Sequence, residues 1–233
     1  MESRLKLEPF TPVLHPRTGN AVSDVLIVDD HPLMCDALSM TLMSAFGLKR
    51  LRIAASLAAA EAGIKAEGPP HAIVLDLNLP DVEGIEGVVS LKSRAPDSYL
   101  TVISSEVDQD MVASALAAGA CGYIEKRLPR NDMLEAFRRM WDGETVSPEG
   151  YEHSVSASEE AVLLAQTFAT LTPQQMNILR LICQGRPNKI ISYELSIAEA
   201  TVKTHIAAIM SKINVRNRTQ AALLASRARL FSR

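Results

Sequence analysis

The sequence predicts an open, doubly wound α/β domain on a five-stranded parallel sheet, followed by an all-α module of four helices. Two patterns predict it: from residue 24 short β-branched runs alternate with helix-length segments, and beyond residue 168 no run of strand character recurs. A third observation is charge. Residues 1–164 hold 14 Lys and Arg against 25 Asp and Glu, and residues 165–233 hold 10 against 2, so the net charge of −3 conceals an acidic part joined to a basic one. A basic segment of that kind is the electrostatic footprint of a phosphate-backbone binder, whereas an acidic domain would repel DNA.

The strands are expected at Val25–Val28, Leu51–Ala54, Ala72–Leu75, Leu100–Ile103 and Gly122–Ile124. Continuous apolar runs such as Ala-Ile-Val-Leu belong to strands buried on both faces. Pro32–Phe46 has helical period with proline tolerated in its first turn, and Val107–Ala118 has helical period and closes at Gly119. Five βα units end near Trp141, which gives a domain over 23–142 behind a loose N-terminal extension, 1–22. The stretch GETVSPEGYEHSVSASEE is polar and punctuated by Pro and Gly, so a linker starts at 143 and carries a short helix from about Ser158 to its end at 168. The module 169–233 reads as helices near 173–184, 188–195, 199–212 and 217–227. In the first, Leu171, Ile178, Leu179, Leu181 and Ile182 recur at helical spacing before Gly185.

Cys35, Cys121 and Cys183 lie far apart without C-x-x-C or His spacing, which indicates reduced, buried thiols rather than a disulfide framework or a zinc site. No apolar run approaches 18 residues, and the first 22 residues carry acids and prolines in place of a signal-peptide core. A cytoplasmic protein without a membrane partner is expected.

In an open α/β sheet, functional groups gather where the carboxyl ends of the strands converge. Here those ends carry Asp29-Asp30, Asp76 and Ser104, with Lys126 after the fifth strand. Three carboxylates packed together repel one another unless a cation offsets them, and Mg²⁺ with oxygen ligands and retained waters meets that need. Such a site can transfer phosphate, with a carboxylate as nucleophile and Lys126 and Ser104 as donors to the phosphoryl oxygens. Taken singly, each Asp could merely cap the helix that follows it.

The motifs VDDHP, LDLNLPD, VISSE and GYIEK, in that order, resemble the flavodoxin-like receiver domain of bacterial two-component response regulators over about residues 24–142. The resemblance implies that Asp76 accepts a phosphoryl group from a sensor histidine kinase. It implies that Asp30 binds Mg²⁺ directly, Asp29 mainly through water, and Asn78 through its backbone carbonyl. Ser104 would turn to the phosphoryl group, Tyr123 would rotate inward as a switch, and Lys126 would pair with the phosphoryl group or with Asp76. Arg127 stands where many relatives have Pro, so no cis-proline is expected there, and Asp81 stands where they often have Gly.

In the third helix of the basic module, Val202, Ile206, Ile209 and Ile213 form one apolar stripe, and the other face presents Lys203, Thr204, Ala207 and Ser211. A helix held by its own stripe while offering basic and hydroxyl groups has the form needed to enter a major groove. Lys203 suits a guanine edge and Thr204 a base or methyl group. Lys189, His205, Lys212, Arg216 and Arg218 suit phosphates. The strings GRPNK, TVKTH and VRNRTQA, within 171–221, are similar to the LuxR-type helix-turn-helix that forms the output of NarL/FixJ-class response regulators. In this chain Gln174 and Gln175 replace the usual Arg-Glu, Ala198 stands at an N-cap where Ser is usual, and Ala207 lacks a longer polar chain.

That resemblance implies double-stranded promoter DNA and RNA polymerase as partners and a homodimer on DNA, with phosphorylation promoting dimerisation and promoter binding. Two dimer surfaces are candidates. One is the first helix, where Met34, Ala37, Leu38, Thr41 and Leu42 make the core face while Leu33, Met40 and Met43 lie off it. The other is the final helix, Thr219–Ala228, the surface relatives use to pair. A Mg²⁺-dependent hydrolase is a second reading, but aspartate-nucleophile hydrolases commonly carry another acid two residues on, where this chain has Asn78. A third is a phosphorylation-independent transcription factor whose receiver-like domain serves for contacts alone, against which the intact acidic pair, Ser104 and Lys126 argue.

Overall fold

The structure, a computed structural model, describes residues 22–231 except 83, 106, 150, 152–157 and 229. The expected extension at 1–22 lies outside the described residues apart from Val22, as do 152–157 of the expected linker. Five parallel strands, β1 (Asp24–Val28), β2 (Arg50–Ala54), β3 (Ala72–Asp76), β4 (Tyr99–Ser104) and β5 (Gly122–Glu125), form one sheet in the order β2-β1-β3-β4-β5. Each expected strand is found, and none is more than two residues longer than expected.

Helices α1 (Pro32–Phe46), α2 (Leu57–Glu67), α3 (Glu86–Arg94), α4 (Gln109–Ala117) and α5 (Arg130–Trp141) cover the two faces. One apolar cluster joins α1 and α5 to the sheet through Cys35, Leu38, Leu42, Phe137 and Met140. The other joins α2, α3 and α4 to the opposite face, which is why every residue of β3 is buried. On α1 the face differs from the expected one: Cys35, Leu38 and Leu42 are buried, Met34 and Thr41 are half-buried, and Ala37 is exposed. The stripe is rotated toward Cys35 because its thiol reaches the backbone carbonyl of Asp29 (3.3 Å). Helix α4 starts two residues later than expected, because Asp108 caps it by accepting from the backbone N–H groups of Asp110 and Met111.

Within the stretch read as linker, Val146 bonds along β5: its carbonyl accepts from Tyr123 N (2.9 Å) and its N–H donates to Cys121 O (3.2 Å). That pairing covers an otherwise open sheet edge. Helix α6 (Ser158–Ala169) then packs on α4 and α3 and brings the second module against the first. That module consists of α7 (Pro173–Cys183), α8 (Asn188–Glu194), α9 (Glu199–Lys212) and α10 (Arg218–Arg227), close to the expected ranges. Its core residues, Ile178, Leu179, Val202 and Ile209 among them, belong to the same apolar cluster as α4 and α6. Among the described residues no helix is long and apolar enough to cross a membrane, no cis peptide occurs, and the three cysteines are unbridged.

Gly122 shows how closely β5 is enclosed. A Cβ placed there would strike the Met140 side chain and come within 2.8 Å of the Val146 carbonyl oxygen. Gly122→Ala is expected to cost about 1–3 kcal/mol, seen as a lowered urea midpoint with an unchanged slope.

Candidate functional site

The order β2-β1-β3 places the topological switch between β1 and β3, where successive crossovers leave to opposite faces and a crevice opens. Asp29 follows β1 and Asp76 ends β3; both are 1 % exposed, and Asp30 stands beside them with its carboxylate partly open to solvent. The ammonium of Lys126 bridges the two buried acids, 2.9 Å from Asp29 Oδ2 and 2.7 Å from Asp76 Oδ2. Its position is fixed by its own backbone N–H, which donates to Ser104 O (2.8 Å) and ties the ends of β4 and β5 together. Burial works against the Lys126 charge, but hydrogen bonds to Asp29 and Asp76 and the charges of both outweigh it, and its pKa is raised. Ser104 is buried at the end of β4, Tyr123 is buried on β5, and the backbone N–H of Asn78 donates to Asp76 Oδ1 (3.2 Å).

The donor set fits a divalent ion. Carboxylate oxygens of Asp29, Asp30 and Asp76 and Nδ1 of His31 all lie within 4.8 Å of one another. Three carboxylates against one ammonium leave two negative charges in a half-buried crevice, the deficit that a hard divalent cation offsets. The fold thus brings together Asp29, Asp30, Asp76, Asn78 and Lys126, with Ser104 at the neighbouring strand end and Tyr123 buried on β5, and His31 joins the acids unannounced. Asp81 serves the loop instead, because its carboxylate accepts from Leu57 N and Ala58 N (both 2.9 Å) and so anchors the segment after β3 to the start of α2.

In the basic module, α9 packs on α7 and α8 with Val202, Ile209 and Ile213 buried and Ile206 half-buried. Lys203, Thr204, Ala207 and Ser211 are all exposed on the other side. Lys189, Lys203 and Arg216 are exposed and His205 is half-buried, while Lys203 pairs with Glu199 (3.3 Å). Two cations expected on phosphates are engaged within the module: Lys212 donates to Thr170 O and Gln175 Oε1, and Arg218 donates to Arg186 O. Gln175 also completes a capping box with Thr172, so the replacement of an acid there keeps the cap. Ala198 provides no side-chain cap for α9.

Sequence reasoning missed the contact between the two modules. Glu86 on α3, 2 % exposed, pairs with the Arg180 guanidinium on α7, with Nε at 2.8 Å from Oε1. Burial pushes the Glu86 carboxyl up to about 7; Arg180 draws it down, and Glu61 and Asp81 raise it further. The partners are 94 residues apart, and no local pattern could have joined them. Beside this pair a cleft of about 560 Å³ lies between Pro80, Asp81 and Val82 of the loop after β3 and Thr219, Leu223 and Ser226 of α10. Docking therefore uses α6 and α7, sets α10 across a cleft from the receiver, and leaves the exposed face of α9 open.

An α/β domain with an acidic crevice at its switch point, joined to a helix-turn-helix, is the architecture of a signal-receiving transcription regulator. Residues 25–138 match the response regulator receiver domain and residues 169–225 match the bacterial regulatory proteins of the luxR family. The chain is 34% identical over 207 residues to the glycerol metabolism activator of Pseudomonas putida, covering 86% of this chain and 94% of that protein. It is 32% identical over 211 residues to the nitrate/nitrite response regulator protein NarL of Escherichia coli, covering 89% and 96%. The fold is similar to that of the RcsB response regulator of Salmonella typhimurium, with a TM-score of 0.52 at 19% identity over 89% of this chain and 99% of that one. The chain belongs to the bacterial two-component response regulators that join a receiver domain to a LuxR-type DNA-binding domain, a family of transcription regulators.

Undocking the two domains returns Glu86 toward its ordinary 4.5, so the docked form holds the proton more tightly. The contribution of Glu86 to docking is fully present below about 4.5 and is lost as pH rises through about 7. Small-angle scattering is expected to show the radius of gyration growing between about pH 4.5 and 7. Glu86→Gln, permanently neutral, should flatten that change.

Proposed function

We propose that Asp76 is the phosphoacceptor for a sensor histidine kinase, and that its phosphorylation drives dimerisation on promoter DNA, where the bound regulator acts on RNA polymerase. The observation that carries this reading is the bridge from Lys126 to Asp29 and Asp76, which holds one buried carboxylate oxygen in place as a nucleophile. Mg²⁺, held by Asp30, Asp76 and the Asn78 carbonyl with Asp29 acting mainly through water, would supply positive charge against the incoming phosphoryl group.

The residues of the chain divide the work. Asp76 attacks through a carboxylate oxygen, and the bond to the kinase histidine breaks as the acyl phosphate forms. Lys126 then exchanges its bond to Asp76 for one to the phosphoryl oxygens, and the Ser104 hydroxyl at the neighbouring strand end turns to the same group. Tyr123, three residues before Lys126 and buried in the apolar cluster that includes α4 and α6, registers that rearrangement on the side of the domain where the output module docks. The loop that leaves Asp76 carries Pro80–Val82 to the cleft facing α10. Because α10 faces the receiver across that cleft, a second copy pairing through α10 would crowd the docked receiver, and a change at Asp76 shifts the balance toward pairing.

On DNA, Lys203 and Thr204 read base edges, Ala207 lies against the groove, and Lys189, His205, Lys212, Arg216 and Arg218 contact phosphates. Engagement of Lys212 and Arg218 within the module leaves them partial donors there. Extension 1–22, receiver 23–142, linker 143–168 and output domain 169–233 are the proposed units, and the cytoplasm is the proposed site of action.

Sedimentation and fluorescence anisotropy of the full chain with a duplex of its own regulatory DNA test this reading. With Mg²⁺ and beryllofluoride the mass is expected to double and DNA affinity to rise; Asp76→Ala should respond to neither. Identical mass and affinity with and without beryllofluoride would overturn it. Lys203→Ala is expected to cost about 1–3 kcal/mol and relax specificity at one base pair. With about four phosphate contacts per copy, and so about eight in the dimer, affinity should fall on the order of 10⁴-fold between about 50 and 200 mM salt.

A further inference from the structure

His31 belongs to the acidic cluster, yet the proposed phosphoryl transfer gives it no part. It occupies the N-cap of α1, where a Ser, Thr, Asp or Asn would accept from the first N–H groups of the helix, but its ring makes no capping bond. The ring turns back over the end of β1 instead. Nδ1 lies 3.0 Å from Asp29 Oδ1, 2.9 Å from Asp30 Oδ1 and 3.9 Å from Asp76 Oδ2. The His31 backbone N–H also donates to Asp29 Oδ1 (2.9 Å), so the ring's starting point is tethered to the same carboxylate that the ring contacts.

Those spacings resemble the edges of a coordination shell. Donors about 2.1 Å from an octahedral divalent ion stand about 3.0 Å apart when adjacent and about 4.2 Å apart when opposite. The imidazole nitrogen has two oxygens at the first spacing and one near the second. Imidazole is a poor ligand for Mg²⁺, which keeps oxygen donors and water, and a good one for first-row transition ions. Lys126 holds Asp29 through Oδ2 and so leaves free the Oδ1 atoms of Asp29 and Asp30 that face the ring, whereas it shares Asp76 Oδ2 with the ring's third neighbour position and would yield that oxygen in part to an ion.

We infer that His31 Nδ1 is a fourth protein ligand beside Asp30, Asp76 and the Asn78 carbonyl, which makes this site bind Mn²⁺ and its first-row neighbours in preference to Mg²⁺ more strongly than those oxygen donors alone would. The inference rests on the proposal that the acidic crevice holds a divalent cation. It goes further by making the identity of that cation depend on a residue that neither transfers nor receives phosphate.

Mn²⁺ and Mg²⁺ are the probes, titrated into the full chain and into His31→Ala and His31→Gln, with Mn²⁺ followed by electron paramagnetic resonance and Mg²⁺ measured by competition. Expected are a nitrogen-14 coupling to bound Mn²⁺ in the unaltered chain that disappears in both variants, and a loss of about tenfold in Mn²⁺ affinity against less than about twofold for Mg²⁺. Competitive binding of both ions without nitrogen coupling, or with equal affinity losses in the variants, would overturn the role of His31 and leave the acidic site standing. Failure of either ion to bind, or of Mg²⁺ to displace Mn²⁺, would overturn both readings together.

Discussion

The structure depends on keeping like charges together in a place that water barely reaches. Asp29 and Asp76 are buried at adjoining strand ends, and their mutual repulsion would open the crevice were Lys126 not seated between them. That ammonium comes from the far side of the domain, beyond β5, and its arrival depends on the order of the strands and on the backbone bond from Lys126 to Ser104. Closure of β5 by Val146 and the close packing of Met140 against Gly122 keep this last strand in register. The sheet edge therefore sets the chemistry of a site several strands away.

An arrangement of this kind is stable only while its charges balance, and that makes it responsive. On the proposed mechanism a phosphoryl group would alter the partner to which Lys126 is drawn, and Tyr123 on the same strand belongs to the apolar cluster that reaches the output module. At that module the receiver touches α7, faces α10 across a cleft and leaves the exposed face of α9 open. On the proposed reading, control by this contact acts on pairing and on domain freedom, since the exposed face of α9 stays uncovered. The Glu86–Arg180 pair adds an ion pair to a boundary that combines an apolar cluster with a partly polar cleft. Because burial raises the Glu86 carboxyl toward neutrality, the pair specifies how the domains fit more than it tightens them.

Much of this was legible in the sequence because the signals were local. Strand positions followed from β-branched runs, Asp29, Asp30 and Asp76 from their places at strand ends, and the reading helix from the stripe of Val202, Ile206, Ile209 and Ile213. What escaped was decided by partners distant in the chain or by competition among neighbours. The Glu86–Arg180 contact joins residues that share no periodic pattern. The inward turn of His31 depends on two carboxylates outbidding the capping role of its position. The α1 core face shifted from Ala37 to Cys35 because a thiol can be buried against the Asp29 carbonyl, which hydrophobic period alone does not reveal. Gln175 read as a lost charge and proved to be a capping residue, since an amide oxygen accepts from the Thr172 N–H as a carboxylate would.

The central claim is that one buried carboxylate, held by one lysine, is where the signal enters. Borohydride reduction converts an aspartyl phosphate to homoserine, which peptide mass mapping locates after the full chain has been incubated with Mg²⁺ and a sensor kinase or a small acyl phosphate. The account predicts homoserine at position 76, greatly reduced when Lys126 is replaced by alanine. Homoserine at Asp29, Asp30 or elsewhere, or undiminished labelling without Lys126, would contradict it.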